Sequence, residues 1–173
     1  MKTTPCVIFD LDGTLADTRH RNHLIRLDEP DWEAFFLAAA EDTPHGYVAA
    51  LASMVLDSAY VGMPFGKEMD LVICTGRPDT YRDLSETWLR RYNIPWDKLI
   101  MRAAADRRPN DVVKLDMLTD LRRRGFSPVF SVDDEPASVR MWRANGVPCL
   151  AVDDSEHHIR QHHLFSLPEE AKK

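Results

Sequence analysis

The amino-acid sequence predicts an α/β protein, a doubly wound parallel sheet flanked by helices, with a small helical insertion after the first strand. Three observations carry this. Short, largely apolar runs recur at Val7-Ile8-Phe9, from Met69 to Cys74 and from Pro128 to Val132, as expected of strands buried on both faces. Stretches with apolar residues at helical spacing lie between them, and strands alternating with helices build parallel sheets. Each run stops on polar residues, Asp10-Leu11-Asp12-Gly13-Thr14, Thr75-Gly76-Arg77 and Asp133-Asp134. Open α/β sheets place their ligand sites at such strand ends.

In chain order, Val7 to Phe9 is the first strand and residues 16–28 are polar and irregular. Trp32, Phe35, Phe36 and Ala39 then recur at helical spacing behind Pro30. A second helix is expected after Thr43-Pro44, the threonine capping it and the proline filling its first turn. Tyr47, Val48, Leu51 and Val55 are its apolar positions, and Gly62-Met63-Pro64 its end. The aromatics of both helices read as core packing. Met69 to Cys74 is the second buried strand, followed by an amphipathic helix with Tyr81, Leu84, Trp88 and Tyr92 on one face. Asn93-Ile94-Pro95 breaks that helix, and Lys98 to Met101 is a short strand. Pro109-Asn110 opens a helix carrying Lys114, Met117, Leu118 and Leu121 up to Gly125. Pro128 to Val132 is the next strand, Pro136 starts the last helix, and Gly146 stops it before a final strand, Val147 to Val152.

The 173 residues suit one domain, divided as a core over 1–16 and 67–153, an insertion over 17–66 and a polar tail over 154–173. No apolar run is long enough to span a membrane, and the start lacks the apolar core of a signal peptide. Cys6, Cys74 and Cys149 are widely spaced in apolar runs, which reads as reduced, buried thiols in a cytoplasmic protein. A formal charge of −6 argues against a general duplex binder. The charge is uneven, −6 over 1–66, +3 over 67–124 and −3 over the remainder. Arg77, Arg82, Arg102, Arg107 and Arg108 fall in the positive block. Arg90, Arg91 and the Arg122-Arg123-Arg124 run read as solvated surface. His158 and His162 in the tail have a possible metal-ligand spacing but no clear third ligand, so the tail reads as surface.

Four polar elements carry the chemistry: Asp10/Asp12, Thr75, Lys114 and Asp133/Asp134. Singly, each has an ordinary explanation as a turn, a helix cap or a solvated lysine. Together, in this order on successive α/β units, they can converge on one crevice. Asp10, Asp133 and Asp134 would form a hard-oxygen site suited to Mg²⁺. An aspartate can attack phosphorus, a lysine and a threonine can hold the oxygens of the transferring group, and Asp12 can move the proton.

These motifs resemble the haloacid dehalogenase superfamily of aspartate-nucleophile phosphatases, whose fold is Rossmann-like. The resemblance implies Asp10 as nucleophile, Asp12 as general acid/base, Thr75 and Lys114 as phosphate ligands and Asp133 as metal ligand. Asp134 would support the metal or Lys114, and the second aspartate of the pair favours phosphoester hydrolysis. More narrowly, Asp106 through Lys114, and Val132 through Glu135 with Met141-Trp142-Arg143 and Gly146-Val147, resemble the 3′-phosphatase domain of phage-type polynucleotide kinase/phosphatases. That likeness implies Thr14, Arg21, Gly76 and Arg77 as further phosphate or substrate contacts, and the Asp12 backbone carbonyl with Asp10, Asp133 and Asp134 around Mg²⁺. The sequence departs at Thr75 and Asn110, where a serine and an acidic residue are expected. No P-loop occurs in it, so a 5′-kinase activity is not expected.

The favoured reading is a Mg²⁺-dependent phosphatase acting on a 3′-phosphorylated nucleic acid end, with an open site and middle-block arginines drawing flanking phosphates. A phosphatase of nucleoside monophosphates or other small phosphoesters is the alternative, and a non-catalytic phosphate-binding subunit a third. A separate kinase or ligase partner is compatible with the first, no membrane association is expected, and oligomeric state is unread.

Overall fold

The structure is a computed structural model that describes residues 3–56 and 69–153. β1 (Thr4–Phe9) is the central strand of the sheet, and Asp10 follows it directly. The chain then turns at Gly13 and forms a two-residue β2 (Ala16–Asp17), which pairs antiparallel with β3 (Thr43–Pro44). The stretch between them holds a 3-10 turn (Asn22–Ile25), α1 (Trp32–Leu37) and a second 3-10 turn (Ala38–Glu41). Asp31 caps α1 by accepting a hydrogen bond from the Ala34 amide at 2.9 Å, satisfying a first-turn donor. α2 (Gly46–Leu56) follows.

Here the structure departs from expectation. Thr43-Pro44 is a strand pairing with Asp17 and Ala16, not a helix cap, and the His45 amide donates to the Leu15 carbonyl at 2.9 Å. Proline serves as well in a short edge strand, where its missing N–H costs no ladder bond. Trp32 (53 % exposed) and Tyr47 (62 % exposed) lie on the surface, while Phe35, Ala39, Val48 and Val55 are buried. The expected helix end at Gly62-Met63-Pro64 and the histidines of the tail lie outside the described residues.

β4 (Asp70–Pro78) lies beside β1, and a 3-10 turn (Asp79–Tyr81) leads into α3 (Arg82–Arg91). β5 (Lys98–Arg102), α4 (Asn110–Arg123), β6 (Phe126–Asp133), α5 (Pro136–Ala144) and β7 (Cys149–Ala151) complete the described chain. The five strands of the main sheet are parallel, in the order β5-β4-β1-β6-β7. β4 runs on through Thr75 to Pro78, past the expected end at Cys74, with an irregular register between Thr75 and Pro78. β7 is shorter than the expected Val147–Val152.

Alternation along β1 assigns each layer of the core. Val7 and Phe9 pack with Val48 and Ala52 of α2 and with Trp88 and Leu89 of α3. Cys6 and Ile8 face the other way, against Val113, Met117, Leu118 and Leu121 of α4 and Val139 and Trp142 of α5. Successive strand residues point to opposite faces, so an all-apolar strand between two helical layers is what the doubly wound arrangement requires. All three cysteines are buried and free, and burial pushes the Cys6 thiol up to about 12.

The largest fully buried side chains include Arg21, Arg77 and Lys114. Such groups are almost never fully buried unless paired, and their partners define the site. No helix among the described residues is long and apolar enough to cross a membrane.

Candidate active site

The carboxyl ends of β1, β4 and β6 lie side by side at the middle of the sheet. Phe9 of β1 pairs with Ile73 of β4 and with Val132 of β6. Asp10, Thr75 and Asp133 therefore stand just beyond the last rungs that β1 shares with its two neighbours. This is the edge at which open α/β sheets bind ligands.

Lys114, brought in by α4, donates to Asp133 Oδ2 at 2.7 Å. The Trp142 indole N–H of α5 donates to the same oxygen at 2.9 Å, and the Glu135 amide donates to Asp133 Oδ1 at 3.1 Å. Asp133 is thus locked from three sides. Lys114 Nζ also lies 3.1 Å from Asp10 Oδ1, yet no hydrogen bond is aimed at that oxygen, which is a buried acceptor without a donor. Burial pushes the Asp10 carboxyl well above its ordinary range; Lys114 opposes the rise, and Asp133, Asp134 and Asp12 add to it. Asp134 is raised to about 7, by burial first and then by the neighbouring Asp133 charge. Burial would lower Lys114, but Asp10 and Asp133 outweigh it and hold the ammonium charged.

Carboxylate oxygens of Asp10, Asp133 and Asp134 lie within 4.8 Å of one another. Gly13, at φ +83°, makes room for this cluster, since a Cβ there would come within 2.6 Å of Asp134 Cγ. Thr14, fully buried, spends its hydroxyl on Asp134 Oδ1 at 2.9 Å. An orphaned buried oxygen, two carboxyls biased toward protonation and an all-oxygen donor set fit a hard divalent cation such as Mg²⁺.

A second cluster adjoins the first. Asp12 Oδ1 accepts from Nη2 of both Arg21 and Arg77, each at 2.5 Å, and Asp12 Oδ2 accepts from Arg77 Nε at 3.2 Å. Burial raises Asp12, but the charges and hydrogen bonds of Arg77 and Arg21 prevail and hold it well below the usual carboxylate range. Arg21 is held in turn by Asp42, and Arg77 Nη1 donates to Ser85 Oγ at 3.0 Å. The two arginines, expected to meet a substrate phosphate, therefore point at Asp12 inside the protein.

Thr75 is buried, and its Oγ1 accepts from the Arg77 amide at 3.1 Å. The Gly76 carbonyl accepts from Arg102 Nε at 2.7 Å, and Arg102 also donates to the Arg108 carbonyl at 2.6 Å and to Asn110 Oδ1. Arg102 so ties the Thr75 loop to the start of α4. Of the middle-block arginines, Arg77 and Arg102 are buried, and Arg108 is paired with Asp106 and Asp116. Arg77 and Arg102 thus do not contribute to the open basic surface expected for flanking phosphates, because internal carboxylates and carbonyls use their donors, whereas Arg108 stays on the surface beside Asp106 and Asp116.

Sequence reasoning missed Asp42 and Ser85, and it placed Arg102 among the arginines for flanking phosphates and not as the tie between the Thr75 loop and α4. Glu41-Asp42-Thr43-Pro44 looks like a helix start, and nothing local marks Asp42 as buried. An unpaired surplus of arginines near strand ends was the one available signal for a buried network.

The family described as "Polynucleotide kinase PNKP phosphatase domain" matches residues 4–157. A chain of the solved "Structure of Pnkp1/Rnl/Hen1 complex" is 26 % identical with a TM-score of 0.68, over 87 % of this chain and 46 % of that one. A chain of the "Structure of the Pnkp1/Rnl/Hen1 RNA repair complex" is also 26 % identical, with a TM-score of 0.69, over 89 % and 44 %. This chain thus spans less than half the length of those two. A predicted phosphatase from Clostridium acetobutylicum shares the fold at 16 % identity and a TM-score of 0.58, over 92 % and 90 %. With the parallel sheet and the carboxylate cluster at its centre, the match across most of the sequence establishes that the chain belongs to the polynucleotide kinase PNKP phosphatase domain family, within the haloacid dehalogenase phosphatases.

Proposed function

We propose that the chain is a Mg²⁺-dependent phosphomonoesterase that removes the phosphate from a polynucleotide 3′ end through an aspartyl-phosphate on Asp10. One observation carries this reading. Asp10 is a buried carboxylate at the end of the central strand, beside Lys114, Asp133 and Asp134, with an oxygen that no donor claims. A nucleophile needs a free lone pair together with charge partners that hold the group it attacks.

In this reading an Asp10 oxygen attacks phosphorus as the bond to the leaving ester oxygen breaks. Lys114, the Thr75 hydroxyl and the Gly76 backbone bind the phosphoryl oxygens. Asp12 gives the departing oxygen its proton, then takes one from the water that attacks the aspartyl-phosphate, so that inorganic phosphate leaves and Asp10 is restored. Carboxylates of Asp10, Asp133 and Asp134, with the Asp12 backbone carbonyl, would hold Mg²⁺, which when bound offsets the charge of the phosphate and of the carboxylates. Thr14 serves the reaction by steadying Asp134. Arg21 and Arg77 hold Asp12, and a phosphate dianion beside them would raise its proton affinity toward that of an acid.

The polynucleotide 3′ end as substrate is supported by the family match and by the likeness to chains from an RNA repair complex. Enzymes of such an assembly are the partners proposed for this chain, in the cytoplasm. The test is phosphate release, with Mg²⁺ and with EDTA, from a 3′-phosphoryl oligonucleotide, its 5′-phosphoryl isomer, a nucleoside monophosphate and an aryl phosphate. Release is expected only with Mg²⁺ and fastest from the 3′-phosphoryl oligonucleotide. Preference for the 5′ isomer or the free nucleotide would overturn the substrate, and turnover by Asp10→Asn would overturn the mechanism.

A further inference from the structure

Asp42 is a fully buried carboxylate that takes no part in the mechanism above. It lies in the insertion, between the 3-10 turn Ala38–Glu41 and β3. Its two oxygens accept from Arg21 Nε at 2.8 Å and from Arg21 Nη2 at 2.6 Å, a side-on fork. Arg77 Nη2 lies 3.9 Å from the same Oδ2. His20 Nε2 meets Asp42 Oδ1 at 2.8 Å, and the Trp88 indole N–H donates to the Asp42 carbonyl at 2.8 Å, anchoring the residue to α3.

The fork settles the direction of Arg21. Arginine carries five N–H donors in one rigid plane. Here two go to Asp42, one to Asp12 and one to the Phe35 carbonyl at 3.2 Å, while the guanidinium lies 4.1 Å over the Phe35 ring. With the plane pinned by Asp42, Arg21 Nη2 donates to Asp12 Oδ1. Arg77 Nη2 reaches that oxygen too. Asp12 Oδ1 is therefore saturated, and Oδ2, with a single long bond from Arg77 Nε at 3.2 Å, is left to exchange a proton with substrate.

We propose that Asp42 is a positioning residue for the reaction: through the Arg21 fork and the Arg77 ion pair, it aims the Asp12 carboxylate so that Oδ2 faces the leaving oxygen. This rests on the acid/base role of Asp12 given above. It makes the insertion a contributor to the catalytic geometry. Removing the Asp42 charge frees Arg21 to rotate and lets Asp12 turn with it.

The experiment compares leaving groups. A 3′-phosphoryl oligonucleotide expels an alkoxide that needs a proton, whereas p-nitrophenyl phosphate expels a phenolate that does not. Asp42→Asn should lower kcat/KM by about 30- to 100-fold on the oligonucleotide, up to the lower end of what acid/base assistance contributes, and by less than about threefold on p-nitrophenyl phosphate. Asp12→Asn should show the same selectivity in kcat/KM, which reports only the steps through departure of the leaving group. Its kcat should fall on both substrates, because the aspartyl-phosphate still needs Asp12 for its hydrolysis. Arg21→Lys keeps the charge but cannot form the fork, and should show the selectivity even where Asp42→Asn fails to fold. Equal losses on both substrates in Arg21→Lys, or unchanged rates in a folded Asp42→Asn, would overturn the assignment.

A second readout needs no turnover. In ¹⁵N-labelled protein the Arg21 Nε–H should exchange slowly in the wild type and rapidly in Asp42→Asn. Persistent protection would overturn the role of Asp42. A wild-type protein that releases phosphate from neither substrate would overturn the phosphatase reading and leave the Asp42 fork to be judged by exchange alone.

Discussion

Gly13 and Asp134 occupy space that a single methyl group would contest: a Cβ on Gly13 would come within 2.6 Å of Asp134 Cγ and closer still to Oδ2. Gly13 also sits at φ +83°, a conformation that costs an L-residue roughly 1–2 kcal/mol. Gly13→Ala should therefore both strain the turn and displace Asp134 from Asp10 and Asp133. The expected outcome is a loss of about 1–3 kcal/mol in urea unfolding, with weaker Mg²⁺ binding by calorimetry. Unchanged Mg²⁺ affinity would separate Gly13 from the carboxylate cluster.

Lys114 is buried against Asp133 and Asp10. Removing one partner of a buried pair leaves uncompensated charge and costs on the order of 3–5 kcal/mol. Lys114→Met should lose that much in denaturant unfolding and lose phosphatase activity as well. Mg²⁺ should restore part of the stability, because it replaces the missing positive charge, without restoring turnover.

The raised carboxyls make stability depend on pH in a stated direction. Asp134 lies at about 7 against an ordinary 3.8, and Asp10 is shifted the same way. The folded state then binds more protons than the unfolded state between those values, so stability falls as pH rises through them. Asp12 acts oppositely, but its contribution is lost only below the ordinary carboxylate range. In EDTA, Tm should be lower at pH 8 than at pH 5.5. Mg²⁺ competes with those protons, so it should raise Tm more at pH 8. A hundredfold excess over Kd contributes about 2.7 kcal/mol, which corresponds to roughly 5–10 °C for a chain of this size. Equal Mg²⁺ effects at both pH values would contradict the cluster as the binding site.

Gly76 and Asn110 form a second tight approach. A Cβ on Gly76 would come within 2.9 Å of Asn110 Cγ, and Asn110 is pinned by Arg102. Gly76→Ala should cost about 1–3 kcal/mol by overpacking and raise KM for phosphate esters by tilting the Thr75 loop. Adding Asn110→Ala should recover part of both losses. Strictly additive effects in the double variant would show that the two positions are not coupled.

Much of this molecule was legible in the sequence. The apolar runs at Val7–Phe9 and Met69–Cys74, and the helical spacing from Lys114 to Leu121, announced a parallel sheet with helices on both faces. Periodicity reports burial on one or both sides of an element, and that is a local property of the chain. The cluster of Asp10, Asp133 and Asp134 followed from strand ends, because parallel strands deliver their carboxyl termini to one edge whatever the loops do.

What the local pattern could not carry was the pairing of charges across distance. Arg21 and Arg77 looked like substrate contacts, and only the packing of the insertion on α3 turned both guanidinium groups onto Asp12. Thr43-Pro44 reads equally well as a helix start or a strand, and the partner strand at Ala16–Asp17 decided it. Asp42 carries no motif, since its importance arises from being enclosed with two arginines, and enclosure exists only after the chain has folded. The sequence alone thus determined the sheet, its order of chemical groups and the family. Tertiary structure decided which cation answers which carboxylate, because at these distances an ångström or a rotated plane chooses the partner.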